Sequence, residues 1–134
     1  QRVLSSLVSA CSDIMHGDRE VPRVAEDTPL RAALVEMTAK GFGMTAVVDS
    51  ADTPVGVFTD GDLRRALGRG VDVEHTRVGA VMTQGSKTVS RDILAAAALR
   101  VMEDNKITAL LVDDGQGRLL GIVHLHDLLR AGVV

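Results

Sequence analysis

Two short segments of the chain place a hydrogen-bonding side chain and a carboxylate three residues apart. Thr59 and Asp62 have this spacing in Thr59-Asp60-Gly61-Asp62, and His124 and Asp127 have it near the C-terminal end. Thr59 is predicted to cap a helix, with the carboxylate of Asp62 reaching back to the positive helix start. The same helix start would favour an anionic ligand. The spacing therefore predicts a capping box, a ligand site, or both.

Two histidines, His124 and His126, stand at the i and i+2 positions of one segment. On a strand this spacing places both imidazoles on one face, where they could hold zinc or iron. A third ligand would be needed, and the spacing does not select among Asp127, Asp60 and His16. We favour the alternative in which the imidazoles face solvent or an acidic ligand, because a partly protonated imidazole complements a carboxylate or phosphate.

Three arginines, Arg64, Arg65 and Arg69, follow the Thr59 segment. At helical spacing they form a solvated face, paired in part with Asp60 or Asp62. Alternatively, some of them neutralise the charge of an anionic ligand in a cleft between two copies of the chain.

Catalytic chemistry has little support in this sequence. Cys11 is the single cysteine and has no histidine at a fixed spacing beside it, so a thiol nucleophile is not expected. One cysteine also excludes an intrachain disulfide. No glycine-rich phosphate loop ending in Lys-Ser or Lys-Thr is present.

The composition narrows the remaining classes of function. Hydrophobic residues make up 46% of the 134 residues and charged residues 25%, which predicts one folded domain of ordinary size. The net charge of -3 argues against a nucleic-acid partner. With no Trp or Tyr and two Phe, the chain has no stacking platform for bases.

The sequence carries no signal of membrane insertion or secretion. The longest apolar run, residues 93–99, is far shorter than the roughly 18 residues of a membrane span. The chain starts at Gln1 rather than Met, and no signal peptide follows. We therefore expect a fragment of a longer protein.

The elements that must position these side chains occur twice. Residues 55–65 align with residues 120–130, with Gly, Asp, Leu and Arg coinciding at four positions. Residues 46–49 align with 110–113, and 13–15 with 80–82. The order of the matching segments is the same in both halves, which predicts one structural unit used twice.

Each unit is predicted to contain a helix, a β-hairpin and a second helix. In the first half, Thr28 and Pro29 begin a helix that ends at Lys40 and Gly41. Its apolar face comprises Leu30, Ala33, Leu34 and Met37. The following ranges are two strands at 45–48 and 55–58 and a helix at 59–67. The second half repeats this order as a helix at 91–104, strands at 108–112 and 119–123, and a helix from His126.

This doubled unit, with Val-Val-Asp before the turn and Gly-Val-Phe-Thr-Asp-Gly-Asp after it, resembles a CBS-domain pair, also called a Bateman module. The resemblance covers essentially the whole chain. The strings at 56–65 and 124–133 and the segment 13–16 resemble, more narrowly, the C-terminal half of bacterial arabinose 5-phosphate isomerases. Those enzymes make the precursor of Kdo, the acidic sugar of lipopolysaccharide. In that family an N-terminal sugar-isomerase domain carries catalysis, so this fragment is expected to be non-catalytic.

The resemblance also implies roles for individual residues. In CBS pairs the carboxylate corresponding to Asp62 accepts hydrogen bonds from ribose hydroxyls, and the hydroxyl corresponding to Thr59 lies near phosphate or sugar. The segment that flanks the base corresponds to Gly43, Met44, Thr45 and Ala46. In the second half His124 stands where the pattern has Thr, with Asp127 following, which departs from two equivalent nucleotide sites.

The preferred ligand is the nucleotide-sugar CMP-Kdo, with AMP or ATP as the runner-up. In this interpretation the acidic sugar contacts His16, His124 and His126, with help from Arg64 or Arg65. The alternative is a structural dimerisation module without a ligand. We expect a homodimer in the bacterial cytoplasm, with no cofactor and with no nucleic-acid or membrane partner.

The predicted fold is α/β (α+β), with tandem CBS motifs packed through their sheets as a pseudo-twofold pair. The predicted boundaries are a linker helix at 1–12, the first motif at 13–70, a connector at 71–87 and the second motif at 88–134.

Overall fold

The computed structural model describes residues 9–85 and 87–133, apart from the side chain of Asp18. These residues form two compact units. One unit is continuous and comprises residues 21–85. The other is discontinuous and combines residues 9–20 with residues 87–133. Each unit mixes helices with one sheet, so the predicted α+β class is confirmed.

The continuous unit contains a four-stranded sheet and two α-helices. Its elements are β1 (Arg23–Ala25), α1 (Leu30–Lys40), β2 (Met44–Val48), β3 (Pro54–Thr59), α2 (Asp60–Gly68) and β4 (Thr83–Gln84). The strand order is β1-β2-β3-β4, with β1 parallel to β2 and the other pairs antiparallel. The β2–β3 hairpin is the one predicted from the turn residues between them.

The discontinuous unit repeats this plan with a three-stranded sheet. Its elements are β5 (Thr88–Ser90), α3 (Ala95–Asn105), β6 (Ala109–Asp113), β7 (Leu119–His124) and α4 (Leu125–Arg130). The strand order is β5-β6-β7, again with one parallel and one antiparallel pair. Beyond β7, His16 forms an isolated antiparallel bridge with Ile122, in the place that β4 holds beside β3.

The backbone register supports one unit used twice. Arg23 lies opposite Ala46, and Thr88 lies opposite Leu111, so both parallel pairs are aligned in the same way. Each hairpin also has one irregularity at the same place, between Val47 and Val48 in one unit and at 112–113 in the other. The segment before the first half bridges to β7 of the second half, and β4, just before the second half, pairs with β3 of the first half.

The first helix of each unit buries one apolar face. In α1 the buried residues are Leu30, Ala33 and Met37, which follow the predicted helical spacing. In α3 the corresponding residues are Ala95, Ala98 and Met102. These faces pack in two separate clusters, one per unit, that include Phe58 in the continuous unit and Leu110, Val123 and Leu128 in the discontinuous one.

The start of α1 differs from the capped start predicted at Thr28. The helix begins at Leu30, and the residue before it, Pro29, has no side chain that could accept a hydrogen bond. The backbone N–H of Leu30 instead donates to the carbonyl of Thr76, 2.8 Å away. A tertiary hydrogen bond therefore replaces the predicted side-chain cap.

The predicted helix at 1–12 lies outside the described residues for positions 1–8. Its described part is not α-helical, because Cys11–Asp13 forms a single 3-10 turn. The N–H of Cys11 donates to the carbonyl of Ile93 at 2.7 Å, and that of Ser12 donates to the carbonyl of Arg91 at 3.1 Å. These amides are thus committed to tertiary contacts and not to an α-helical ladder.

Gly56 and Gly121 occupy corresponding positions in β3 and β7, where another segment crosses very closely. A Cβ atom at Gly56 would lie 2.6 Å from the carbonyl oxygen of Thr83 and 2.8 Å from the sulfur of Met82. At Gly121 it would lie 2.6 Å from both the carbonyl oxygen of His16 and the sulfur of Met15. A side chain at either position would therefore push the crossing segment away.

The helices of the described residues are all too short or too polar to cross a lipid bilayer.

Candidate functional site

The start of α2 is held by the capping box predicted from Thr59 and Asp62. The Thr59 hydroxyl accepts a hydrogen bond from the Asp62 N–H at 3.1 Å, and Asp62 Oδ2 accepts one from the Thr59 N–H at 2.9 Å. The Thr59 hydroxyl also donates to Oδ2 at 3.1 Å. Thr59 and Asp62 thus cap α2 and also form a cluster of polar groups at its start.

The other carboxylate oxygen of Asp62 binds two further donors. Oδ1 accepts from the Arg65 guanidinium at 2.6 Å and from the Thr83 hydroxyl at 2.9 Å. The Asp62 side chain is 5% exposed, and burial alone would raise its pKa. The hydrogen bonds from Arg65, Thr83 and Thr59 outweigh burial and lower the pKa, so the carboxylate is charged near neutral pH.

A surface depression opens beside this carboxylate. It has a volume of about 320 Å³ and lies entirely within the continuous unit. Its polar lining residues are Asp62, Arg65, Arg69 and Thr83, and Ala80, Val81 and Met82 complete the wall. Two guanidinium groups, a carboxylate and a hydroxyl therefore meet at one concave surface, which suits a ligand that carries both an anion and hydroxyl groups.

The start of α4 has the same architecture with histidine in place of threonine. His124 is the N-cap, and its Nδ1 accepts the N–H of His126 at 3.1 Å. The N–H of His124 in turn donates to Oδ2 of Asp127 at 2.7 Å. The predicted equivalence of Thr59 with His124 and of Asp62 with Asp127 is confirmed, because both pairs occupy the start of the helix after a hairpin.

His16 brings a further imidazole to this cluster from the segment before the first half. Its Nε2 lies 2.9 Å from Oδ1 of Asp127, and its Nδ1 lies 3.1 Å from Glu20. Arg130 approaches the same Asp127 oxygen at 3.6 Å. His16 thus binds Asp127 as Thr83 binds Asp62, while Arg130 has the place of Arg65 but lies too far from Asp127 for a hydrogen bond.

The pKa values of His16 and His124 are shifted in opposite directions. Burial would lower the pKa of His16, but hydrogen bonds and charges from Asp127 and Glu20 raise it above the ordinary value. Burial lowers the pKa of His124, the charges of His126 and His16 lower it further, and Asp127 offsets only part of this. The His124 and His126 rings are stacked, with centroids 4.9 Å apart.

The predicted base-flanking segment lies beside the start of α2. Met44 pairs with Thr59 across the hairpin, and the carbonyl of Gly43 accepts the N–H of Asp60 at 3.1 Å. Thr45 and Ala46 continue into β2 and are fully buried. None of these four residues lines the depression beside Asp62.

The two arginines predicted to help bind the acidic sugar lie in different places. Arg65 belongs to the Asp62 cluster, whereas Arg64 is exposed and outside the depression.

In the part of the chain that the structure describes, no group of three His, Cys, Asp or Glu side chains is arranged to hold a metal ion. Cys11 is fully buried, and burial raises its thiol pKa to about 11, which disfavours the reactive thiolate.

Thr83 and Glu20 were not among the predicted site residues. A signal for Thr83 was available, because the alignment of residues 13–15 with 80–82 places Thr83 over His16. Glu20 had no such signal, since its contact depends on the path of the backbone after His16.

The sequence matches the model of the CBS domain twice, at residues 11–69 and 78–134. The chain belongs to the CBS domain family. The first match contains the helix start at Thr59 and the second contains the one at His124. The two matched domains therefore correspond to the structural repeat.

Among curated proteins, the chain is similar to arabinose 5-phosphate isomerases. It is 52% identical over 128 residues to the enzyme KdsD of Pseudomonas aeruginosa, and 48% identical to that of Escherichia coli K12. Each alignment covers 96% of this CBS pair but 39% of the isomerase. The chain therefore spans about two fifths of the length of these relatives.

Solved structures of CBS pairs share the fold. Hypoxic Response Protein I, determined with two coordinated zinc ions, has a TM-score of 0.80 and 27% identity over 91% of this chain and 98% of its own. CBSX2 in complex with AMP has a TM-score of 0.77 and 25% identity over 92% of this chain and 96% of its own.

Proposed function

We propose that this CBS pair is the non-catalytic regulatory module of a cytoplasmic bacterial arabinose 5-phosphate isomerase. Identity of about half the residues over 96% of the chain supports this parent protein. The isomerase chemistry would lie in the part of the relatives that the chain does not span. The module would be allosteric if its ligand binds two states of the whole enzyme with different affinity.

The observation that carries the ligand-binding proposal is the charged carboxylate of Asp62 at the edge of a depression. Its four hydrogen bonds occupy both oxygens, so a ribose hydroxyl would have to replace a present donor on Oδ1. Arg65 suits that exchange, because its side chain is 65% exposed and a released guanidinium is free to meet a phosphate.

CMP-Kdo is our preferred ligand. Asp62 would accept the ribose hydroxyls, and Thr59 with the start of α2 would face the phosphate. Residues 43–46, which lie beside the start of α2 and outside the depression, would flank the base. His16, His124 and His126 would meet the carboxylate and hydroxyls of the acidic sugar, since His16 and His124 stand where the other motif has the hydroxyls of Thr83 and Thr59. As the activated product of the pathway, this ligand would restrain its first step.

An adenine nucleotide is the runner-up ligand, and it has support from the AMP complex of the structural relative CBSX2. A second candidate function is a homodimerisation module without a ligand. Leu67 and Leu129 favour that function, because they are 54% and 45% exposed on α2 and α4.

Calorimetry on this chain with CMP-Kdo, CMP, AMP and ATP tests these alternatives. We expect CMP-Kdo to bind more tightly than AMP or ATP, and to add about 2.7 kcal/mol of stability at a hundred times its dissociation constant. Equal or tighter binding of ATP would replace CMP-Kdo by an adenine ligand. Absence of binding by all four would favour the dimerisation module.

Asp62→Ala tests the site itself. Loss of its charged hydrogen bonds should weaken ligand binding by about 1–3 kcal/mol. Asp60→Ala is the matched control, because it removes the same charge from the same helical turn at an exposed position. Both variants need a check of folding by circular dichroism, since Asp62 also caps α2. Equal affinities of the two variants would contradict the assignment of Asp62.

A further inference from the structure

The two motifs differ systematically at corresponding positions around their buried carboxylates. In the continuous unit, hydroxyls provide the cap (Thr59) and the crossing contact (Thr83). In the discontinuous unit, imidazoles provide both (His124 and His16). Hydroxyls do not titrate near neutral pH, whereas histidines do. The repeat therefore contains one helix start that is indifferent to protons and one that is not.

The capping hydrogen bond at α4 requires a particular form of His124. Its Nδ1 receives the backbone N–H of His126, so Nδ1 must carry a lone pair and no proton. This selects the neutral imidazole with its proton on Nε2. A proton added at Nδ1 would place two donors head to head at 3.1 Å, and the ring would have to turn away.

Burial and the charges of His126 and His16 disfavour the His124 cation, and the charge of Asp127 offsets only part of their effect. From α4 itself, the His126 ring stacks on it and Asp127 accepts its backbone N–H. From the 9–20 segment, the His16 ring binds the other Asp127 oxygen, Oδ1, and also contacts Glu20. Arg130 approaches the same oxygen. From β6, the residue opposite is Ala109, which carries no charge.

We propose that the start of α4 is a proton-operated cap: neutral His124 holds the first turn of the helix, and protonation of His124 releases it. The corresponding cap of α2, built from Thr59, stays closed at the same pH. This device goes beyond the ligand function proposed above and operates in the free protein. It would make the second motif, and not the first, sensitive to acidification.

The direction of the effect follows from the environment of His124. Because its pKa is lowered in the folded chain, the unfolded chain binds the proton more readily. The contribution of His124 to stability is present above the ordinary histidine pKa of about 6.5 and is lost as the pH falls through that value and below.

Nuclear magnetic resonance on the 134-residue chain tests the proposal directly. At about pH 7.5, the imidazole nitrogens of His124 should show Nε2 protonated and Nδ1 bare. As the pH falls to about 5, amide exchange at His126, corrected for its intrinsic pH dependence, should accelerate about 2- to 30-fold, the range for loss of an N-cap. The Asp62 amide, bonded to Thr59, is the internal reference and should not change.

His124→Thr transplants the cap of the first motif and should abolish the acid-dependent acceleration. His124→Asn provides a second, non-titrating acceptor if the threonine variant folds poorly. His75→Gln, which removes an exposed histidine from the other unit, should behave as the unmodified chain does. A proton on Nδ1 at neutral pH, unchanged protection of His126, or persistence of the acid effect in His124→Thr would overturn the proposal.

Discussion

Asp127 shows how one carboxylate can depend on a residue that is remote in sequence. Its Oδ1 lies 2.9 Å from Nε2 of His16, which is 111 positions earlier in the chain. Because Glu20 holds the other ring nitrogen, the His16 imidazole is placed between two carboxylates. The protonated ring satisfies both, so His16 stabilises the fold when it is charged.

His16→Gln should therefore destabilise the chain more in acid than in alkali. The pKa of His16 is raised in the folded state, so its contribution is fully present below about 6.5 and is lost as the pH rises through the raised value. Urea unfolding at about pH 6 and about pH 8.5 should give the larger deficit at the lower pH.

His124→Thr provides the comparison of opposite sign in the same experiment. Because the pKa of His124 is lowered in the folded chain, this histidine loses its stabilising contribution in acid. The His124→Thr variant should therefore gain stability relative to the unmodified chain as the pH falls. A deficit for His16→Gln that grows with rising pH would contradict the assigned role of His16.

The sequence predicts some site residues well and others poorly, for a physical reason. Thr59 with Asp62, and His124 with Asp127, are local pairs whose spacing determines their contact once a helix forms. The contacts of Thr83 with Asp62 and of His16 with Asp127 join distant segments, and no local rule predicts them. His16 was nevertheless among the predicted site residues, whereas Thr83, which has the same place on the other crossing segment, was not.

At the scale of secondary-structure elements, the crossing of each hairpin by a short segment depends on one glycine. Gly56 and Gly121 allow the carbonyls of Thr83 and His16 to approach the strand closely. The crossing segment also supplies the side chain that binds the carboxylate. The glycine thus acts on the site indirectly, by permitting the backbone path that delivers the donor.

Gly56→Ala and Gly121→Ala should each destabilise the chain by about 1–3 kcal/mol, the usual cost of overpacking. Both should also loosen the cluster that the crossing segment completes. Gly68→Ala in α2 is the control, because a Cβ there meets nothing within 4 Å, and it should be neutral or stabilising by up to about 1 kcal/mol.

Denaturant unfolding measures the stability difference. Deuterium exchange at the amides of His16 and Gly85, which bond to Ile122 and Val55, reports the loosening of each crossing. Stability unchanged in both alanine variants would mean that the crossings are not tight in solution.

The helices and hairpins were predictable because their signals are local. Periodic apolar residues, turn clusters and caps mark α1 to α4, β2, β3, β6 and β7. By contrast, β1, β4 and β5 have two or three residues each and no apolar run, so they exist because a neighbouring strand pairs with them. The pairing partner, and not the segment itself, makes them strands.

At the scale of the whole molecule, the exposed leucines bear on assembly. Helices α2 and α4 carry Leu63, Leu67, Leu128 and Leu129, but Leu128 is fully buried and Leu63 packs against the core of its own unit. Leu67 and Leu129 remain available for a second copy of the chain.

Light scattering should give twice the 14.2 kDa chain mass at high micromolar concentration. Leu67→Glu and Leu129→Glu should shift this mass toward that of one chain, because each places a charge in an apolar contact. Val35→Glu is the control on α1, where Val35 is 65% exposed. A mass near 14.2 kDa for the unmodified chain would contradict the dimer.

The discontinuity of one unit has a consequence for how the chain acquires its structure during synthesis. Residues 21–85 are contiguous, so their unit is complete as soon as β4 has left the ribosome. The 9–20 segment emerges before that unit but finds its partner, β7, only after most of the described chain has been made. Closing so long a loop costs entropy and slows folding. The unit of residues 21–85 is therefore expected to fold alone, while residues 9–20 wait for β7.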